Sequence, residues 1–173
     1  MAQPQKFIKN SAGRLVEEAI ESVNASAGAG DAAKLVQLDG AGKLDASLMP
    51  VGMGADVLAM VASESLSAGD FVNCWDSSGT MKARKADATV SGKEADGFVL
   101  DAVTSGQTAT VYFEGRNTSL SGLTLGGRYY LSATAGGASA TAPSGSGNVV
   151  QYLGRATTSS SLVFEATDGV ILA

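Results

Sequence analysis

Residues 54–173 contain a succession of short apolar segments separated by polar, glycine-bearing stretches. The segments recur about every 8–15 residues, which is typical of antiparallel sandwiches and small barrels. Alternation is visible within them: Phe71 and Trp75 fall on one face of a strand, Val72 and Cys74 on the other. No helical segments alternate with them, so a parallel sheet is not indicated. The segments read DVLAMVASESL, FVNCW, TMKARKA, DGFVLDAV, TATVYFE, RYYLSAT, NVVQYLGRA, SLVFEA and GVILA.

One segment, residues 11–27, has helical periodicity instead. Ser11 can cap its start, and Gly28 and Gly30 follow its end. We therefore predict one short helix here, which must dock on something because so short a helix is marginal alone in water. Its apolar stripe comprises Leu15, Val16, Ala19, Ile20 and Val23.

These patterns divide the chain into three parts. Residues 1–29 are predicted to form an N-terminal arm and the helix, residues 30–53 a connector, and residues 54–173 a β-rich domain. The predicted fold is mainly β: an antiparallel β-sandwich or small barrel preceded by the arm, one short helix and the connector. The connector is too apolar for a free linker, so we expect it to pack against its own domain or a sister chain.

The connector, GDAAKLVQLDGAGKLDASLMP, resembles a ligand loop in composition only. A phosphate loop needs two glycines with four residues between them, followed by Lys and Ser or Thr; here Gln37 stands five positions before Gly42, and Gly42 and Lys43 are followed by Leu44. An EF-hand needs alternating oxygen ligands and a terminal glutamate, which the segment after Asp39 lacks. We expect Asp45 to cap a helical turn instead.

The chain offers little for catalysis. It has no histidine, which removes the commonest general base and the commonest neutral metal ligand. Its one cysteine, Cys74, lies in a strand-like run, where a packed small side chain is expected rather than a nucleophile. We predict no catalytic, cofactor-binding or metal-binding residues, and therefore not an enzyme. A lone cysteine fits assembly in a reducing cytosol.

Charge is distributed unevenly. The net charge is −5, but residues 1–14 carry Lys6, Lys9 and Arg14 and no acid, which is +3 and leaves −8 for the remainder. An acidic body argues against a nucleic-acid-binding surface. No run approaches the roughly 20 apolar residues of a membrane helix, and the first ten residues contain no apolar segment of the signal-peptide type. The basic arm is a candidate docking element for an acidic partner.

Several segments together resemble the virion structural proteins of tailed bacteriophages. The connector is similar to one found in head-decoration proteins and fibres of these phages, and the following segments are similar to the β-rich domain that often follows it. The resemblance covers most of residues 30–166. The segments that carry it are SAGDFVN, ADGFVLDAV, TATVYFEG, LTLGGRYYLSATAGG and APSGSGNVVQYLGRA.

The resemblance implies a virion structural protein, commonly trimeric, without separating a capsid from a tail position. We expect a capsid decoration protein that binds the outer surface of the head as an oligomer, because the chain length favours this over a tail fibre. Its expected partners are the major capsid protein and its own copies, with no nucleic acid and no membrane, and its expected location is the virion after assembly in the host cytoplasm. The alternative is a tail-fibre or head-fibre component that binds a host receptor or glycan, for which Tyr129–Tyr130 could expose one ring. The predicted partner interface comprises Lys6, Phe7, Ile8, Lys9, Leu15, Ile20 and Val23.

Overall fold

The computed structural model describes residues 6–19, 22–32, 34–38, 40, 42–49, 56–165 and 167–173. The chain divides into two compact units, Met1–Gly54 and Ala55–Ala173, which are called the N-terminal and the C-terminal unit below. The prediction of a mainly β fold is confirmed, since strands dominate and helical structure is limited to two short 3-10 turns within the described residues. None of these described helical turns is long or apolar enough to cross a bilayer.

The N-terminal unit begins with a β-hairpin where a helix was predicted. Strands β1 (Lys6–Ser11) and β2 (Arg14–Ala19) pair antiparallel, from Lys6 opposite Ala19 to Ser11 opposite Arg14. The two residues between them, Ala12 and Gly13, have φ values of 51° and 81°. Positive φ at both positions is the geometry of a type I′ turn, whose twist matches paired strands.

The predicted helix over residues 11–27 is therefore wrong, and local turn chemistry explains why. The Asn10 side chain accepts a hydrogen bond from the Gly13 amide at 2.9 Å, which fixes the turn. The apolar segment before the turn then supplies a partner strand whose backbone groups satisfy those of β2. An isolated helix with one narrow apolar stripe has no such partner.

The rest of the N-terminal unit consists of short pieces. Strands β3 (Ser22–Val23) and β4 (Leu35–Val36) pair in parallel, and 3-10 turns occupy Ala29–Asp31 and Ala46–Leu48. The predicted cap at Asp45 is confirmed: its Oδ1 accepts hydrogen bonds from the Ser47 amide at 2.9 Å and the Ser47 hydroxyl at 2.6 Å. These bonds lower the pKa of Asp45, because they favour the ionised carboxylate.

The C-terminal unit begins with a closed five-stranded barrel of order β5-β7-β6-β8-β9. The pairs are antiparallel except β5 with β7. The predicted hairpin at DSSG is confirmed: it joins β6 to β7, with Ser78 and Gly79 at φ values of 57° and 82°. The strands are β5 (Val57–Ala62), β6 (Phe71–Asp76), β7 (Met81–Lys85), β8 (Gly97–Phe98) and β9 (Thr108–Tyr112).

A five-stranded antiparallel sheet follows, of order β10-β15-β14-β11-β12. A bulge between β11 and β14 shifts the register between Tyr129 and Tyr130. Two further strands pair with each other near the C-terminus, β13 (Val149–Val150) and β16 (Val170–Ile171). The strands of the sheet are β10 (Gly115–Asn117), β11 (Arg128–Leu131), β12 (Ala138–Ser139), β14 (Tyr152–Ala156) and β15 (Leu162–Phe164).

Alternation along the strands sorts the buried side chains into two clusters. Within β6, Val72 belongs to a cluster that also holds Met60, Ala83 and Val111 from the other barrel strands. Its neighbour Phe71 points the other way, as the sequence predicted, into the second cluster. That cluster unites barrel and sheet residues, and its largest members are Phe71, Phe98, Leu131, Leu153, Leu162 and Phe164.

Gly154 permits the close approach of β14 and β15. Its φ is 145°, and a Cβ placed on it would lie 1.9 Å from the Val163 carbonyl oxygen. No side chain fits at that distance without displacing a strand of the sheet. The glycine is therefore required by the tertiary structure and not by a turn.

We predict that Gly154→Ala lowers the free energy of unfolding of the C-terminal unit by about 3 kcal/mol or more, because backbone strain and a steric clash add. The measurement is urea denaturation followed by fluorescence of Trp75, the only tryptophan of the chain. Gly106→Ala is the matched control: its φ is 84° but a Cβ there contacts nothing within 4 Å, so a loss of about 1 kcal/mol is expected. Equal losses in the two variants would contradict the steric argument.

Candidate interaction surface

The hairpin exposes apolar side chains that a folded domain usually buries. Ile8 is 66% exposed and Leu15 is 76% exposed. The register places Ile8 opposite Glu17 and Leu15 opposite Asn10, so Ile8 and Leu15 share one face of the hairpin and are diagonal neighbours. Val16, 38% exposed, lies on the opposite face. Both faces of the hairpin therefore offer apolar contact area.

The structure places the predicted interface residues as follows. The backbone of Lys6, Phe7, Ile8 and Lys9 forms β1, and Leu15 lies in β2. Val23 lies in β3, apart from the hairpin, where its side chain is half-buried and its carbonyl accepts a hydrogen bond from the Gln37 amide at 2.8 Å. Ile20 lies outside the described residues. Only Ile8 and Leu15 are thus brought together as side chains in the described structure.

The connector adds exposed apolar side chains that the predicted interface did not include. Among the side chains that the structure describes between residues 8 and 49, none is buried. The contacts found among these residues are backbone pairs and polar contacts. The exposed connector residues are Leu35 at 51%, Val36 at 57%, Leu38 at 52%, Leu44 at 49% and Met49 at 39%.

Polar contacts order the connector and the segment before it. Asp31 accepts a hydrogen bond from the Ala27 amide and forms an ion pair with Lys34 at 3.0 Å. The hydrogen bond from the Ala27 amide, and then the contact with Lys34, lower the pKa of Asp31. The Ser26 amide donates to the Ser47 hydroxyl at 2.7 Å, which joins the segment before the connector to the 3-10 turn Ala46–Leu48. An ordered segment with exposed apolar residues is suited to bind a partner at low entropic cost.

The C-terminal unit contains an open depression of about 760 Å³. Its carboxylates are Glu94, Asp96 and Asp168, and its floor includes Cys74 and Gln151. Gln151 is 2% exposed and fully used: its Oε1 accepts from the Ala95 amide at 2.7 Å, and its Nε2 donates to the carbonyls of Ala95 and Thr167, both at 2.9 Å. Gln151 therefore stabilises the fold and has no polar atom left for a ligand.

Asp96 is likewise occupied by structural contacts. Its Oδ2 accepts hydrogen bonds from the Cys74 amide at 2.7 Å and the Asn73 side chain at 3.1 Å. Burial raises the pKa of Asp96, and these hydrogen bonds act in the opposite direction. The described residues contain no group of three or more acidic or cysteine side chains placed to hold a metal ion.

Cys74 packs as a small apolar side chain, as predicted. It contacts the barrel cluster from its edge and is half-buried. Burial, followed by the neighbouring charge of Asp96, raises the pKa of the Cys74 thiol to about 11. Because the thiolate is the nucleophile, this thiol is deactivated at neutral pH.

Comparisons of the chain with protein-family models, with curated proteins and with solved structures find no match. Function is therefore argued from the surface itself.

We predict that iodoacetamide alkylates Cys74 roughly 10- to 100-fold more slowly in the folded protein than in urea at pH 8, because the raised pKa depletes the thiolate. The readout is the rate of mass increase by mass spectrometry. The unfolded chain at the same pH supplies the reference rate. Equal rates would show that the thiol is neither shielded nor shifted in its pKa.

The raised pKa of the Cys74 thiol also makes the free energy of unfolding depend on pH. Between pH 9 and 11 the unfolded thiol ionises while the folded thiol keeps its proton, so the folded state loses stability as pH rises. The wild-type free energy of unfolding should fall more steeply over this range than that of Cys74→Ala, in which all other titrating groups are unchanged. Parallel curves for the two proteins would rule out the raised pKa.

Proposed function

We propose that this protein is a bacteriophage capsid decoration protein that binds the outer surface of the head as a homotrimer. Its partners would be the major capsid protein and its own sister chains. In this proposal the β-rich C-terminal unit is the stable body of the decoration, and the N-terminal unit makes the contact with the capsid. The observation that carries the proposal is the contrast in burial between the two units.

The C-terminal unit has the buried core that a stable domain needs, whereas the described part of the N-terminal unit shows mostly exposed apolar side chains. The first has two apolar clusters with fully buried phenylalanine, leucine and valine side chains. In the second, the described large apolar side chains other than Val23 and Leu48 are exposed, and the described strands are a two-stranded hairpin and two short strands. A two-stranded hairpin is marginally stable by itself, so it needs a further surface to pack on.

The hairpin can bind a capsid subunit by adding to a sheet. Its pairing is limited to β1 with β2, so each strand has one edge with unpaired backbone groups among the described residues. An extended segment that joins another protein's sheet edge gains affinity from main-chain hydrogen bonds and specificity from alternate side chains. Ile8 and Leu15 would supply the apolar part of that contact.

The charge of the hairpin and the number of hairpins in a trimer both support binding to the capsid. In the hairpin sequence the three basic residues Lys6, Lys9 and Arg14 outnumber Glu17 and Glu18, which favours an acidic surface on the partner. A trimer would carry three such hairpins, and three weak contacts on one assembly give strong overall binding through high effective concentration. Contacts that bridge neighbouring capsid subunits exist only in the assembled shell, so they would stabilise that shell.

The alternative, a fibre component that binds glycans, requires aromatic rings free to stack on sugars. Tyr129 is 5% exposed and its hydroxyl accepts a hydrogen bond from the Thr124 amide at 2.8 Å. Tyr130 is half-buried and makes an edge contact with Tyr152. The ring of Tyr129 is therefore buried and that of Tyr130 is partly covered, and for this reason we place decoration before glycan binding.

We predict that Ile8→Asp with Leu15→Asp reduces affinity for capsids at least about 10-fold, since each apolar side chain contributes on the order of 1.5 kcal/mol or more when buried. The measurement is co-sedimentation of the purified protein with phage heads that lack it. The matched control is Leu125→Asp with Val170→Asp in the C-terminal unit, where the side chains are 74% and 63% exposed. The control should bind as the wild type does.

Deletion of residues 1–10 is a second, independent variant of the same test, because it removes most of β1 and with it the hairpin. Undiminished binding of both the deletion and the double substitution would exclude the hairpin from the capsid contact. Absence of binding by the wild-type protein would overturn the decoration proposal itself.

A further inference from the structure

One face of the five-stranded sheet carries a row of arginines. Cross-strand register joins Arg116 to Val163, Val163 to Arg155, and Arg155 to Arg128. Their strand neighbours Asn117, Leu162, Ala156 and Tyr129 are buried on the inner side, so the row lies on the outer face. Adjacent strands lie about 4.8 Å apart, so the row extends over roughly 14 Å. All three arginines are exposed.

Two tyrosines lie beside this row on the same outer face. The bulge in β14 places Tyr152 opposite Tyr130, and their rings meet edge to face with centroids 6.0 Å apart. The Arg128 guanidinium lies 4.8 Å from the centre of the Tyr152 ring. We call the surface formed by Arg116, Arg128, Arg155, Tyr130 and Tyr152 the arginine face.

Two of the three arginines of the arginine face make contacts within the chain that restrict their side chains. Arg128 is held over Tyr152 by a cation–π contact. Arg155 donates from Nη1 to the Gly126 carbonyl at 3.0 Å. Surfaces ordered in this way lose less side-chain entropy on association than flexible lysines do.

The arginine face stands out in an acidic domain. Residues 54–173 contain 11 acidic and seven basic side chains, and three of those seven lie on this face. Glu114 and Glu165 flank it two residues along the strands, yet no ion pair links either of them to these arginines in the described part of the chain. The positive charge of this face is therefore left for a partner.

The shape and chemistry of the face favour a protein partner. Small-molecule sites are concave, whereas this is the open face of a sheet. Bases and sugars need free ring faces, but Tyr152 is covered by Arg128 and contacts Tyr130. Arginine and tyrosine are enriched among the residues that contribute most to protein–protein binding, and charge complementarity requires an acidic counterpart.

We infer that the arginine face of one copy docks on an acidic surface of a second copy of this chain. The chain supplies that counterpart itself, because 17 acidic side chains outnumber 12 basic ones. A ring of three copies requires a heterologous contact, so the arginine face of each copy meets a different surface of the next copy. This inference rests on the homotrimer of the proposed function and identifies the surface that forms it.

The first test measures oligomeric state by size-exclusion chromatography with light scattering over a range of concentrations. Arg116→Gln with Arg155→Gln leaves the Arg128–Tyr152 contact intact and should require at least tenfold higher concentration to form trimers. Lys82→Gln with Lys93→Gln changes the net charge equally at other positions and should behave as the wild type. Raised salt should dissociate the wild type further, because the lost contacts are between charges.

Either of two results would overturn the inference. One is a monomeric wild type at every concentration, and the other is an arginine variant that assembles as the lysine control does. Thermal unfolding of the variants checks that the C-terminal unit remains folded. Should the double variant unfold, Arg155→Lys keeps the charge and permits a second measurement.

That second measurement identifies the counterpart directly. A carbodiimide joins the introduced lysine to any carboxylate in contact with it, and mass spectrometry of mixed ¹⁴N- and ¹⁵N-labelled copies distinguishes links between copies from links within one. We expect links between copies that join the introduced lysine to an aspartate or glutamate. Links only within a copy, or none, would contradict docking through this face.

The capsid experiment separates this inference from the proposed function. The arginine variants retain the hairpin, so they should still sediment with heads, but more weakly because the valency is lost. If the wild type forms trimers through the arginine face yet never binds heads, the decoration proposal fails and the docking inference stands. If the wild type binds heads as a monomer, binding to the head stands, whereas the homotrimer and the docking inference fail.

Discussion

The C-terminal unit depends on the contact among three phenylalanines. Phe71 and Phe98 come from adjacent barrel strands, and Phe164 comes from the sheet, with ring centroids 5.7 and 5.8 Å from the Phe164 ring. This aromatic contact joins two separately hydrogen-bonded sheets into one core. Gly154 lets β14 approach β15 closely enough for Phe164 to take its place. The arginine face is the outer side of the same sheet, so its position follows from the inner packing.

The described part of the N-terminal unit differs from the C-terminal unit in the exposure of its apolar side chains. Most of its described large apolar side chains are exposed, and backbone pairs with carboxylate-centred hydrogen bonds give it local order. Such a unit gains stability by burying its surface on another molecule. The buried clusters of the C-terminal unit, the exposed apolar side chains of the N-terminal unit and the arginine face are the features on which our proposal of assembly rests. Capsid decoration is the assembly that we propose.

Alternation and turn chemistry were sufficient to predict much of the fold. The strands around Phe71 and Phe164, the hairpin at DSSG and the cap at Asp45 follow from rules that act within a few residues. The helix prediction failed for an informative reason: Leu15 and Val16 fit helical spacing, but Ala12 and Gly13 form a turn that pairs their strand with the one before. Of the predicted interface, Ile8 and Leu15 meet on one face, and their role in binding stays a prediction.

The sequence by itself determined what kind of protein this is in outline: mainly β, acidic, without histidine, and interrupted by glycines at strand ends. These properties depend on composition or on a few neighbouring residues, so they can be recognised without the tertiary structure. Only the tertiary structure decided that Arg116, Arg155 and Arg128 form one row, because they are 12, 27 and 39 positions apart in the chain and meet through strand order. Strand order depends on which faces bury together, and that is a property of the whole core rather than of any segment.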